Sequence, residues 1–241
     1  MLGGDHSKKF NDEEIKAFLS GKAILDAPAA INLIERGFGE YLGVDVKARA
    51  EDAPNVSGDI LADGSTLAAL PRICDMKITD EKARTLTTGY HLKDGKEKVP
   101  LFPTAVWYEN SLGGTVVTLA GSSVFSRGLA EGFRFLCEGR KNFLAGLLSD
   151  FSALPVYYPD DAETFISAAR LADGSLAVAA INTGLDEVEK FPLIYNGSCS
   201  EILRLAPNGA YESLGFEKTG CRYELDITLK PYDPQIFIFK Q

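Results

Sequence analysis

The sequence has 241 residues, of which 45% are hydrophobic and 24% are charged, and its net charge is −9. These proportions are typical of globular proteins, and the negative charge argues against a nucleic-acid surface, which needs clustered Lys and Arg. No apolar run reaches the roughly 20 residues of a membrane helix, and the first residues lack the basic and apolar regions of a secretory signal. We therefore expect a soluble, cytoplasmic protein that binds neither nucleic acid nor membranes.

The first elements in chain order have the pattern of an α/β layer. Asn11 and Glu14 form a capping-box pattern at the start of a helix that carries Ile15, Phe18 and Leu19 on one face. A short apolar strand, 23–26, follows, and Pro28 is well placed in the first turn of a second helix. Helix, strand and helix in such close succession predict an α/β fold.

The middle of the sequence changes pattern. Between about 44 and 103, turn residues alternate with short apolar stretches, which predicts an irregular, strand-rich insertion. Two clearer strands, 104–108 and 114–120, come next, and the apolar spacing of residues 140–151 predicts another helix.

The last part of the sequence has the pattern of an all-β domain. Short apolar or alternating stretches recur between tight turns such as Asp173-Gly174 and Asn208-Gly209. This spacing predicts an antiparallel β-sandwich. We therefore expect an α/β domain over residues 1–152 and a β-sandwich over residues 153–241.

The sequence contains few residues suited to catalysis or to metal binding. Its two histidines, His6 and His91, cannot build a three-histidine metal site, and no nucleophile-elbow motif is present. We expect no metal and no cofactor. The cysteines lack C-x-x-C spacing, so four free thiols are predicted: Cys74, Cys137, Cys199 and Cys221.

Two polar residues follow predicted strands and are candidate ligand contacts. Asp26 ends the strand at 23–26, and ligands in α/β folds bind beyond the carboxyl ends of strands. The alternative for Asp26 is a structural role, in which its side chain caps the helix that begins near Pro28. Ser122 follows the strand that ends at Ala120, and its alternative role is to cap a turn.

Two neighbouring aromatic residues are candidates for stacking on sugars. Trp107 and Tyr108 lie in a predicted strand, and aromatic rings of this kind can bind the apolar face of a pyranose. Their alternative role is packing in the core or between domains.

Two stretches of the sequence resemble a known enzyme group. Residues 18–26 and 33–44 resemble the glutamine-amidotransferase-like "trimerisation" domain of bacterial glycoside hydrolases related to the family 42 β-galactosidases. The run from Ala169 to Phe239 resembles the small β-sandwich that ends many of these enzymes. The resemblance implies a partial flavodoxin-like layer followed by the sandwich, and it implies that the catalytic glutamates lie on a separate barrel that this sequence does not match.

The resemblance and the residues together predict an accessory role in carbohydrate metabolism. We expect a non-catalytic assembly region of a glycoside-hydrolase-like protein, and we favour the C-terminal portion of a longer chain. The alternatives are a stand-alone carbohydrate-binding module and a small α/β hydrolase using Asp26 or Ser122. Since such domains make oligomer contacts in the resembled enzymes, we also expect a dimer or trimer held by residues before about 152, with carbohydrate as the candidate ligand.

Overall fold

The computed structural model describes residues 1–123, 137–151, 155–161 and 163–241. Its chain divides into two compact units, Met1–Arg140 and Lys141–Gln241. The domain boundary predicted at 152/153 falls on residues outside the described ranges, so it stays a prediction.

The helices of the described part begin near the predicted positions, but the second helix ends at Glu35, whereas the apolar spacing of residues 38–42 predicts a helix that continues to Gly43. They are α1 (Asp12–Leu19), α2 (Ala27–Glu35) and α3 (Glu138–Asp150), with short 3₁₀ helices at Gly4–Lys9 and Gly39–Tyr41. The capping box of α1 is confirmed: the Asn11 side chain accepts from the Glu14 amide, and the Glu14 side chain accepts from the Asn11 amide. These bonds provide acceptors for two amide groups at the start of the helix that have no carbonyl partner within it.

A six-stranded sheet forms the centre of the first unit. Its strands run in the order β1-β8-β7-β6-β3-β4, and a separate two-stranded sheet joins β2 to β5. The strands of this unit are β1 (Lys22–Leu25), β2 (Val44–Lys47), β3 (Gly58–Leu61), β4 (Thr66–Ala68), β5 (Asp75–Ile78), β6 (Arg84–Lys93), β7 (Glu97–Glu109) and β8 (Thr115–Leu119).

The pairing of this sheet does not by itself show the partial flavodoxin-like layer that the resemblance implies. The segment 44–103 is strand-rich, as predicted, but β3, β4, β6 and the first half of β7 extend the same sheet as β1 and β8 instead of forming a separate insertion. β1 and β8 are parallel, whereas the remaining pairs of the sheet are antiparallel. Hairpins of the antiparallel strands need only short connections, so the sheet grows without the helices that parallel crossovers require.

The helices α1 and α2 share one hydrophobic core with this sheet. Its side chains come from both helices and from strands β1, β2, β7 and β8. Ile15, Leu19, Leu25, Leu33 and Val116 are among those with almost no exposed surface. Leu2 adds a parallel bridge beside Leu25, because its amide donates to Ile24 and its carbonyl accepts from Asp26.

The second unit contains two antiparallel sheets that share a core, which gives it a sandwich-like architecture. Their orders are β10-β11-β17-β13-β14 and β15-β16-β12-β9. Phe191, Tyr195, Tyr223, Phe237 and Phe239 lie fully buried between them. The strands are β9 (Val156–Tyr157), β10 (Thr164–Arg170), β11 (Leu176–Asn182), β12 (Pro192–Tyr195), β13 (Glu201–Leu205), β14 (Tyr211–Leu214), β15 (Phe216–Thr219), β16 (Arg222–Leu225) and β17 (Gln235–Lys240).

Candidate functional site

Asp26 lies at the carboxyl end of β1, as the sequence predicts, and its side chain is fully buried. One carboxylate oxygen, Oδ1, accepts from the amides of Gly4 (2.9 Å) and Ala29 (3.0 Å). The other, Oδ2, accepts from the Gly4 amide (3.0 Å) and from the amide and hydroxyl of Ser123 (3.0 and 2.8 Å). The bond from Ala29 makes Asp26 the N-cap of α2.

The carboxylate of Asp26 therefore joins three separate parts of the first unit. These are the loop at Gly3 and Gly4, the start of α2, and the loop after β8. The packing is close enough that a Cβ on Gly3 would lie 2.4 Å from the Ser123 hydroxyl oxygen and 2.9 Å from Asp26 Oδ2. Since both oxygens already accept hydrogen bonds from the protein, the capping alternative is realised, and a ligand contact of Asp26 stays a prediction.

Ser122 is also buried and lies in the same loop after β8. Its amide donates to the carbonyl oxygen of Pro71 at 2.8 Å. A Cβ on the preceding residue, Gly121, would lie 2.2 Å from the Leu70 Cβ, so the loop packs closely against residues 70 and 71. The predicted ligand contact of Ser122 is likewise not tested by this arrangement.

Trp107 and Tyr108 lie on opposite faces of the sheet, because successive side chains of a strand alternate. The Tyr108 ring is buried, and a Cβ on Gly43 would lie 2.5 Å from it. The Tyr108 hydroxyl donates to Asp80 at 2.9 Å. Burial and this bond to an acid raise the pKa of Tyr108 above its ordinary value. The two neighbours therefore do not form one flat platform.

Trp107 is half-buried and lines an open cleft of about 700 Å³ in the first unit. The other side chains of the cleft include Lys82, Arg84, Glu109 and Thr115, and residues of the β7–β8 turn also line it. The Arg84 guanidinium carbon lies 5.4 Å from the centre of the Trp107 ring, within the range of a cation–π contact.

The side chain of Asn110 fixes the β7–β8 turn, which lines this cleft, through four hydrogen bonds. Its side-chain amide donates to the carbonyl oxygens of Leu19 (2.9 Å) and Tyr41 (3.3 Å). Its side-chain oxygen accepts from the amides of Leu112 and Gly114. A buried side chain that uses donors and acceptors together fixes the turn relative to α1, which makes the cleft a preformed feature.

The sequence pattern points to Trp107 but not to its neighbours Lys82, Arg84 and Glu109. The strand register that brings Arg84 and Glu109 into the cleft depends on long-range pairing, which the pattern does not specify. Arg84 pairs with Trp107 across β6 and β7, and Glu109 pairs with Thr115 across β7 and β8. Side chains directly opposite each other in a sheet lie on the same face, so the pairing brings these groups together.

The aromatic residues of the second unit have mainly structural surroundings. Tyr158 is buried, and its ring stacks on Phe191 with the centroids 5.5 Å apart. Burial, with the charges of Asp161 and Asp160 nearby, raises the pKa of Tyr158 to about 12.

No group of three or more His, Cys, Asp or Glu side chains that could hold a metal ion occurs among residues 1–123, 137–151, 155–161 and 163–241. In the same ranges, no helix has the length and apolar character needed to cross a membrane.

The comparisons with known proteins found similarity at the level of structure. No protein-family model and no curated protein matches the sequence. Among solved structures, the chain is similar to Gan42B, a GH42 β-galactosidase, with a TM-score of 0.52 and 12% identity over 95% of this chain. It is also similar to α-L-fucosidase isoenzyme 2 from Paenibacillus thiaminolyticus, with a TM-score of 0.58 and 12% identity over 96% of this chain.

The chain spans only part of these two enzymes, namely 30% of the β-galactosidase chain and 39% of the fucosidase chain. At 12% identity, the similarity establishes a shared fold and no more. Its two-unit architecture therefore occurs as one portion of larger glycoside hydrolases.

Proposed function

We propose that this chain is a non-catalytic accessory region of a glycoside-hydrolase-like protein that acts on carbohydrate. The observation that carries the proposal is the structural similarity, which covers nearly all of this chain but well under half of each of the two enzymes. A region with this relationship has the extent of an accessory portion, and the catalytic residues would then belong to another part of the assembly.

The amidotransferase-like, flavodoxin-like character of the first unit is part of this proposal. The parallel pair of β1 and β8, with α1 and α2 packed on the sheet, supports it. The antiparallel strands β7, β6, β3 and β4 would then be an addition to the parallel core, which hairpin connections allow.

The surroundings of Asp26 support a structural role for this carboxylate over a catalytic role. A general acid or base must reach a proton on the substrate. Asp26 has no exposed surface, and its oxygens accept bonds from three amides and one hydroxyl. Of the two histidines, His6 is exposed and His91 contacts the carbonyl oxygen of Asn55 through Nδ1 at 3.1 Å.

The test of this proposal is an activity assay on the whole chain. We expect no hydrolysis of nitrophenyl glycosides, including β-galactosides and α-fucosides, by the purified protein. Turnover that persists through a second purification and falls at least about tenfold in Asp26→Asn or in Glu109→Gln would overturn the proposal. The Glu109 variant is informative because this side chain is exposed, so its loss is not expected to affect folding.

Self-association is the second part of the proposal. β10 forms the outer edge of the five-stranded sheet, and it contains no proline and no charge before Arg170. Phe165, which is 64% exposed, lies on the same face of this sheet as Ile236, which is 38% exposed. An uncharged edge of this kind can pair with another strand, and an antiparallel edge is complementary to its own copy across a two-fold axis. We propose a second copy of this chain as the partner of β10, a contact that differs from the contact before residue 152 that the sequence predicts.

Light scattering at tens of micromolar tests this contact. We expect the chain to form a dimer and Phe165→Lys to shift it to a monomer, because the two-fold axis would bring the new positive charges of both copies close together at the paired edge. Leu185→Lys is the matched control, since Leu185 is 86% exposed in the same unit but outside the strands. A monomeric parent chain would overturn self-association, and a dimer unaffected by Phe165→Lys would favour the contact before residue 152 that the sequence predicts.

A carbohydrate-binding role is a second candidate function. The observation that favours it is the position of Trp107, a half-buried indole that lines an open cleft together with charged side chains. Pockets that bind small ligands combine apolar or aromatic surface with a few polar groups that fix orientation.

A further inference from the structure

In the cleft at Trp107, the indole ring lies next to the guanidinium group of Arg84. Trp107 and Arg84 are paired across β7 and β6, so their side chains lie side by side on one face of the sheet. The guanidinium lies over the indole ring, 5.4 Å from its centre. Such a contact holds the guanidinium beside the ring and leaves its N–H groups available as hydrogen-bond donors.

The guanidinium of Arg84 has no carboxylate partner among the described residues. Each ion pair identified in these ranges involves other basic side chains. The ordinary partner of a guanidinium is a carboxylate or phosphate, which it binds through two parallel hydrogen bonds. Arg84 is therefore held beside the ring of Trp107 and able to bind an anionic group in the cleft.

Lys82 and Glu109 extend the lining of the cleft beyond Arg84 and Trp107. Lys82 lies in the turn just before β6, two residues before Arg84, and Glu109 is the last residue of β7, two residues after Trp107. Both side chains are exposed and line the cleft, and Thr115 lies directly opposite Glu109 on β8. An ammonium group, a carboxylate and a hydroxyl are suitable partners for sugar hydroxyl groups.

The lining of the cleft has a net positive charge, whereas the chain as a whole is negative. Lys82 and Arg84 outnumber Glu109 in the lining, whereas the chain as a whole carries a net charge of −9. A positive site on an acidic protein attracts anions locally and repels them elsewhere. The ligand that matches this arrangement has an apolar ring face, hydroxyl groups and one carboxylate.

We propose that the cleft binds a saccharide that carries a carboxylate, that is, a uronic acid residue. The carboxylate lies against Arg84, the pyranose ring packs beside the indole of Trp107, and the hydroxyl groups contact Lys82 and Glu109. This assignment deepens the carbohydrate-binding role proposed above and rests on it, but it does not depend on the assembly role.

The fluorescence of Trp107 tests the proposal directly, because Trp107 is the single tryptophan of the chain. We expect D-galacturonate or D-glucuronate to change its emission in a saturable way. Galactose, the neutral counterpart, is expected to bind at least about tenfold more weakly, since it lacks the charge-assisted bonds to Arg84. Sodium acetate at the same concentration is expected to cause no saturable change.

Variants that keep Trp107 identify the residues responsible. Arg84→Gln is expected to weaken uronate binding at least about tenfold, which corresponds to the loss of a charge-assisted pair. Lys98→Gln is the matched control: it removes a positive charge from the neighbouring strand β7, at the end far from Trp107, where Lys98 lies over Tyr90, and it should leave binding unchanged.

The outcomes separate the proposals. Equal binding of galactose and uronates, or uronate binding that Arg84→Gln does not weaken, would overturn the uronate assignment and leave the carbohydrate-binding role. An equal response to acetate would identify a simple anion site and overturn the uronate assignment. No response to any saccharide would overturn both, while the assembly role would still be decided by light scattering.

Discussion

Replacing Asp26 with Ala should destabilise the first unit strongly. The substitution removes the N-cap of α2, which costs about 1 kcal/mol. It also leaves the amides of Gly4 and Ser123 without the carboxylate, and an unsatisfied amide of this kind costs about 1–2 kcal/mol. The free energy of unfolding should therefore fall by about 3–5 kcal/mol, by summing these contributions.

Urea unfolding followed by the fluorescence of Trp107 measures this effect. The single tryptophan lies in the first unit, so the signal reports that unit and is separate from the sandwich. Asp26→Asn should have an intermediate effect, because its oxygen can still cap α2 while its NH₂ group faces other donors.

Asp63→Ala is the matched control for this prediction. Asp63 also accepts from a backbone amide and a hydroxyl, those of Ser65 at 2.9 and 2.6 Å, but in an exposed turn. Its loss should cost no more than about 1 kcal/mol, because water replaces the lost bonds. If Asp26→Ala and Asp63→Ala lower the free energy of unfolding by the same amount, the structural role assigned to the buried carboxylate is refuted.

Three further predictions concern other buried groups. Burial and nearby acids raise the pKa of Tyr158 to about 12, so its contribution to the stability of the second unit should be intact below pH 10 and lost as the pH rises towards 12. In Tyr158→Phe, unfolding measurements should show a smaller loss of stability over this pH range, and the last step of an ultraviolet phenolate titration should be absent. The four cysteines form no disulfide, so a thiol titration in denaturant without reductant should count four thiols, and a count of two would contradict the structure. In the native protein, the exposed Cys221 should react before Cys74, whose pKa is raised chiefly by burial. Asp59→Ala removes the carboxylate from the buried ion pair with Arg140, so the free energy of unfolding, measured by urea unfolding, should fall by about 3–5 kcal/mol. A fall of less than about 1 kcal/mol would contradict the importance of this pair.

The local elements of this protein are determined by the sequence itself. The capping box of Asn11 and Glu14, the cap at Asp26 and the helical spacing around Phe143 each depend on residues a few positions apart. Hydrogen bonds and apolar faces at such short separations are visible in the sequence pattern. The strands β14 and β15 were not predicted, because most of their side chains are exposed and leave no apolar alternation.

The order of the strands and the composition of the candidate cleft were decided by the tertiary structure. β1 lies beside β8, and Arg84 lies beside Trp107, although these partners are far apart in the sequence. The alternation along β7 also places Tyr108 in the core and Trp107 in the cleft, which adjacency in the sequence conceals. A sequence pattern specifies which face of a strand is apolar, but the identity of the neighbouring strand depends on long-range pairing and on how the whole core packs.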